Sequence, residues 1–389
     1  MKAVGKKLIC LMLLGALALG LFSGCAGGQT EGREASGPEW SSLAVRRQVP
    51  LKYATQFSLT EYDQGYTLLD IPASGRFLLV TQGADLPRGV DADVVPLYGP
   101  LDCIYLAATS AMDFFRALDS VSAVRLSGTD VNGWYIQEAK DALNSGAMRF
   151  AGKYSAPDYE LIFAEKCDLA IESTMIYHTP EVKEQLQKLG VPVLVERSSY
   201  EEDPLGRMEW IKVYGALLGK LDQAEKLFDG EVKAVEPLLG QPQTGKTVAF
   251  FYITATGTVN VRKSDDYVPR MIGLAGGTYV FSDMESGSAL STVNMTMESF
   301  YDGAKNADLL IYNSNIDGEL FTLEELLQKS VLLKDFKAVQ NGDVWCTGKN
   351  LFQEPMGLGK LILDMHRVLT DVDAPNQLTY LHKLTNGGK

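Results

Sequence analysis

Side chains suited to bond-making chemistry are scarce in this chain of 389 residues. There are three histidines, His178, His366 and His382, and two of them stand close to the C-terminus. No Cys-x-x-Cys or His-x-x-x-His spacing occurs, so a bare-ion cage of thiolate and imidazole has no framework. There is no Walker loop and no Gly-x-Ser-x-Gly elbow, and Gly357-Leu358-Gly359 lacks the third glycine of a dinucleotide fingerprint. The residues therefore argue against an enzyme, a protein-held metal and a resident cofactor. What remains is chemistry of recognition. Arg197 and Arg262 offer charge-assisted hydrogen bonds to a carboxylate or catecholate, and tyrosines beside them offer faces for a planar ligand.

Such groups need elements to hold them together. Tyr66–Ile71 and Arg76–Thr81, separated by Pro-Ala-Ser-Gly, read as a hairpin, and Asp93–Tyr98 as a strand. Tyr105–Leu118 has helical apolar spacing. Strands at 121–126, 148–151, 168–174 and 191–196 then alternate with helices at 132–144, 160–166 and 180–189, the last opened by Thr179-Pro180. That rhythm predicts a parallel α/β lobe. In the next segment Trp210, Tyr214, Leu217, Leu221, Ala224, Phe228, Val232, Val235 and Leu239 recur at three- and four-residue steps. They predict one amphipathic helix on the order of 50 Å long. A hairpin broken near Gly215 or Gly219 is the alternative. From Thr247 the α/β rhythm resumes, with strands at 247–254, 259–262, 278–281, 308–313 and 343–347. The expected division is 45–205 for a first lobe, 206–240 for the linker helix and 241–389 for a second lobe.

Ligands of open parallel sheets bind beyond the carboxyl ends of the strands. That rule nominates Tyr98, Ser127, Thr129, Ser173, Thr174, Tyr177, Arg197 and Tyr200 in the first lobe. In the second it nominates Tyr252, Arg262, Tyr267, Tyr312, Asn313, Trp345 and Phe352.

The start of the chain carries an address. Lys2, Lys6 and Lys7 precede an apolar run from Leu8 to Leu21, too short for a comfortable bilayer span, and then Phe22-Ser23-Gly24-Cys25. This resembles the bacterial lipoprotein signal; an ordinary secretory leader is the alternative. The resemblance implies removal of residues 1–24, a lipid on the Cys25 thiol and a flexible tether over 25–44. Loss of residues 1–24, with three lysines and no acid, takes the net charge from −13 to −16. A polyanion such as nucleic acid is a poor partner for that surface. Cys103, Cys167 and Cys346 are left in the body. They read as small buried hydrophobes, with a Cys103–Cys167 disulfide as the alternative.

A weak internal repeat links the two lobes. Glu160 opens a helix followed by Asp168 at the head of an apolar strand, and Glu298 and Asp308 stand in the same relation. With two α/β lobes joined by a helix, the chain resembles the substrate-binding lipoproteins of ABC importers for ferric siderophores, haem and cobalamin. The resemblance runs from about residue 45 to 385. It is most specific over Thr179–Glu196, Pro204–Lys212, Val259–Tyr267 and Leu274–Thr278. It implies an extracytoplasmic protein lipid-anchored to the cell membrane, with a small-molecule metal chelate bound between the lobes. The ligand would bring its own metal. It also implies a partner, a permease dimer with its ATPase, and places Glu160 and Glu298 opposite permease arginines. The rival readings are a non-transport lipoprotein on the same body, a ligand sensor or a hydrolase.

Overall fold

The computed structural model describes residues 35–284, 291–370 and 378–387. The leader, Cys25 and the first half of the tether lie outside the described residues.

The N-terminal part builds a sheet of its own. Strands β1 (Val45–Gln48), β2 (Ser58–Tyr62), β3 (Thr67–Ile71), β4 (Gly75–Val80) and β5 (Val94–Tyr98) stand in chain order. The β3–β4 hairpin turns where Pro-Ala-Ser-Gly predicts it, with Ala73 at φ 64°. Leu59, Leu69, Ile71, Phe77 and Leu97 face the main core. Tyr66, Leu78, Val80 and Val94 form a smaller cluster on the outer face, joined by Tyr98. This sheet is separate from the parallel one, so the expected first lobe contains two sheets.

The parallel sheet has the order β12-β11-β6-β7-β8. Its strands are β6 (Ile104–Leu106), β7 (Val124–Ser127), β8 (Arg149–Phe150), β11 (Leu169–Ser173) and β12 (Val193–Glu196); β9 (Gly152–Lys153) and β10 (Ala156–Pro157) form a side hairpin. Here the sequence reading needs a correction. Tyr105–Leu118 is not one helix: its start is β6, and only Met112–Ala117 is α-helical. All three β6 residues are buried, and a strand covered on both faces carries no alternation to tell it from a buried helix. Pro180 does open helix Pro180–Lys188, but Thr179 makes no capping bond.

The second lobe is a mixed sheet in the order β16-β14-β13-β17-β18-β19. Its strands are β13 (Thr247–Ile253), β14 (Val259–Arg262), β15 (Thr278–Tyr279), which pairs with β13, β16 (Thr292–Met295), β17 (Leu309–Tyr312), β18 (Val344–Thr347) and β19 (Leu381–Lys383). Strands β13, β17 and β18 are parallel; β14, β16 and β19 run against their neighbours.

The linker is not a single long helix. It consists of helices Pro204–Glu209, Ile211–Leu217 and Leu221–Val235. The break is at Gly219, whose φ of 68° favours glycine. The chain turns there so sharply that a Cβ on Gly215 would lie 2.5 Å from the Ala224 Cβ. Tyr214 and Leu217 on one arm, and Ala224, Phe228 and Val235 on the other, are all buried. Each arm keeps the helical stripe, so periodicity alone does not see the turn.

Two buried carboxylates fasten the N-terminal sheet to this linker. Glu209 accepts the backbone N–H groups of Lys52, Tyr53 and Ala54 and an ammonium bond from Lys212 at 2.6 Å. Glu201 accepts the N–H groups of Thr55 and Gln56 and the Trp210 indole N–H.

Candidate functional site

The two sheets present their carboxyl ends to each other, and two contacts between the lobes fix that arrangement. The first lies beyond β7 and β18. Gln353 accepts the Tyr135 N–H at 2.7 Å and donates its amide to the Gly133 carbonyl at 2.7 Å. The Met356 N–H donates to the buried Asp113 carboxylate at 2.8 Å. Phe352 meets Tyr135 edge to face, with centroids 6.0 Å apart. The second contact lies beyond β12, at the linker. The Arg207 guanidinium sits 3.5 Å from the centre of the Tyr267 ring, and Arg262 lies 5.9 Å from the same ring. Arg270 pairs with Asp203 at 3.5 Å. The strand orders run the same way in both sheets, so the ends of β11, β6, β13 and β17 fall between these contacts. That interval is where the strand-end rule expects a cleft.

The first-lobe wall is built by the chain leaving β11 and β12. Arg197 follows β12, lies 4.3 Å from the centre of the Tyr200 ring and donates to the Gln56 side chain at 3.2 Å. Its Nε is buried with no acceptor among the described residues. Tyr200 is 46% exposed. After β11, Ser173 accepts the Met175 N–H and Thr174 opens a single 3-10 turn. That turn leaves Met175 and Tyr177 exposed, and the Tyr177 hydroxyl donates to the Ala73 carbonyl.

Other expected residues serve as framework. Ser127 is buried, donates to the Thr129 carbonyl and accepts the Trp134 indole N–H. Tyr312 and Trp345 lie in the main core, and Asn313, also buried, accepts the Asn315 N–H. Tyr98 belongs to the N-terminal sheet, where the strand-end rule does not apply. In the second lobe Tyr252 is half-buried and Phe352 is exposed. Arg262 pairs with Asp266 at 3.5 Å. Burial works against its charge, but Tyr267 and Asp266 outweigh burial and hold its pKa above the ordinary arginine value. Burial dominates at Arg207 and lowers its pKa. Gln353, Asp113, Tyr135 and Arg207 carried no sequence signal of their roles, because each acts through a partner far away in the chain. Glu160 and Glu298 are exposed in the first turns of helices Tyr159–Ala164 and Met297–Ala304, one on each lobe.

Paired α/β lobes with facing strand ends suit a binding protein, and a family model decides it. The model described as periplasmic binding protein matches residues 116–351, more than half of the chain. The chain belongs to the periplasmic binding protein family. Two curated relatives are uncharacterized lipoproteins of Methanocaldococcus jannaschii. One is 24% identical across 94% of this chain and 93% of its own length; the other is 28% identical across 75% of each. Among solved structures, a periplasmic heme binding protein from Pseudomonas aeruginosa superposes with a TM-score of 0.56 at 17% identity. It spans 74% of this chain and 99% of that one. An ABC-type Fe3+-hydroxamate transport system protein from Saccharomonospora viridis gives 0.54 at 20% identity, over 70% of this chain and 94% of that one. These likenesses show a shared two-lobed fold. In this periplasmic binding protein the linker is broken and the N-terminal sheet is clipped to it by Glu201 and Glu209.

Proposed function

We propose that this chain is an extracytoplasmic lipoprotein, anchored through Cys25, that captures a chelated metal ligand and delivers it to an ABC importer. The ligand is a ferric siderophore, haem or cobalamin; it carries its own metal, and the protein supplies recognition without catalysis. The observation that carries this reading is the pair of α/β lobes with facing strand ends, where Arg197 stacks 4.3 Å from the centre of the exposed Tyr200 ring. An anionic chelate pairs with the Arg197 guanidinium, and its planar part packs on the neighbouring rings. Tyr252 stands on the opposite wall, flanked by Phe352 of the first contact and by Arg262 and Tyr267 of the second. Delivery uses Glu160 and Glu298, one per lobe, against a permease dimer driven by its ATPase.

Charge reversal tests the delivery step. In cells taking up a radiolabelled chelate through this protein, the double variant Glu160→Lys, Glu298→Lys is expected to lose uptake. Chelate binding by the purified variant should stay unchanged, since both residues lie outside the cleft. Uptake at the normal rate would refute the docking role.

A further inference from the structure

Cys103 stands immediately before β6, and Cys167 lies in the loop between helix Tyr159–Ala164 and β11. They are 64 residues apart in sequence, yet their sulfurs are 3.3 Å apart. Both thiols are free. The third described cysteine, Cys346, is in β18 of the other lobe, so it competes for neither. The backbone around the pair is already fastened. The Asp168 N–H donates to the Cys103 carbonyl at 2.8 Å. The Asp168 carboxylate accepts the N–H groups of Asp102 and Cys103 at 3.1 and 3.0 Å. The two sulfurs thus meet across a clamp that does not depend on them. Cys103 is half-buried and can be approached from outside, whereas Cys167 is only 6% exposed.

We propose that Cys103 and Cys167 are oxidised to a disulfide that staples the start of β6 to the loop after the Glu160 helix. The oxidant is a second disulfide, supplied by a small molecule or by an oxidase of the extracytoplasmic space. Cys103 loses its proton and attacks one sulfur of that disulfide, displacing a thiolate. Cys167 then loses its proton and attacks the Cys103 sulfur of the mixed disulfide, displacing the second thiolate. The protein gives up two electrons and two protons, and the external disulfide takes them up as two thiols. Burial raises the pKa of both cysteines, so uncatalysed exchange accelerates with rising pH. The staple fixes the loop that follows the Glu160 helix, on the lobe surface assigned to the permease. The proposal rests on the extracytoplasmic reading, because disulfides persist in oxidising compartments.

Peptide mapping tests it in two arms. In one, the full chain is expressed with its leader, recovered from the membrane fraction under acid quench and digested without reductant. In the other, reduced folded protein is incubated with excess glutathione disulfide and mapped in the same way. The expected result in both is a cross-linked peptide joining Cys103 to Cys167, with Cys346 open to alkylation after denaturation. A cross-link with glutathione disulfide but reduced cysteines in cells would uphold the pair and overturn the extracytoplasmic reading. Alkylation of both cysteines in both arms, with no cross-linked peptide, would overturn the proposal.

Discussion

Individual side chains in this fold divide by whether a partner answers them. Arg197 keeps a buried Nε with no acceptor among the described residues. Glu172, on β11, is the contrasting case: it is buried and neither carboxylate oxygen has a hydrogen-bond partner among the described residues. Its neighbour Ala170, on the same face, belongs to the cluster with Tyr105, Leu126 and Ile162, so Glu172 faces apolar surroundings away from the cleft. Burial pushes its pKa from 4.5 up to about 8. A raised folded pKa means that the fold favours the protonated form. The contribution to stability is full below pH 4.5 and is lost as pH rises toward 8. Across that window the loss approaches about 1.4 kcal/mol per pH unit. Glu172→Gln should flatten the dependence of Tm on pH and melt above the wild type at pH 8, read by circular dichroism. An unchanged slope would show that Glu172 is not the titrating group.

At the scale of elements, local chemistry was legible where it was self-contained. Pro-Ala-Ser-Gly set the β3–β4 hairpin, and Pro180 set the start of its helix. The Glu160/Asp168 and Glu298/Asp308 repeat has a physical basis in strand register. Asp308 accepts the Thr247 N–H at 2.7 Å and so ties β17 to the start of β13, as Asp168 ties β11 to the start of β6. What escaped the sequence was long-range. A three-residue turn at Gly219 interrupts a stripe that reads as continuous. The segment Lys52–Gln56 is held by Glu201 and Glu209, about 150 residues later in the chain. Removing Glu209 leaves three backbone N–H groups without their acceptor and the buried Lys212 ammonium with the Pro50 carbonyl but no carboxylate. Glu209→Ala is therefore expected to cost about 3–5 kcal/mol in urea unfolding. Asp229→Ala, which breaks only an exposed pair with Lys52, is expected to cost under about 1 kcal/mol. Equal costs would contradict the clip.

For the whole molecule, the lobes are joined at two places. One is the linker with Arg207, Tyr267 and the Arg270–Asp203 pair; the other is the Gln353, Tyr135 and Asp113 contact on the far side of the cleft. A body pinned at both edges closes little on its ligand. Small-angle scattering should show nearly the same radius of gyration with and without chelate, and a wider interlobe distance distribution in Gln353→Ala by spin-label measurement. Large ligand-dependent compaction of the wild type would contradict this.

Capture of a metal chelate between the lobes is read by intrinsic tryptophan fluorescence. Trp134 follows Gly133 of the interlobe contact, and its ring is braced by Ser127. Purified protein titrated with ferric siderophores, haem and cobalamin should give a saturable change with one of the three. Arg197→Ala should weaken that binding by roughly 10–100-fold. No saturable response to any of the three would contradict the account.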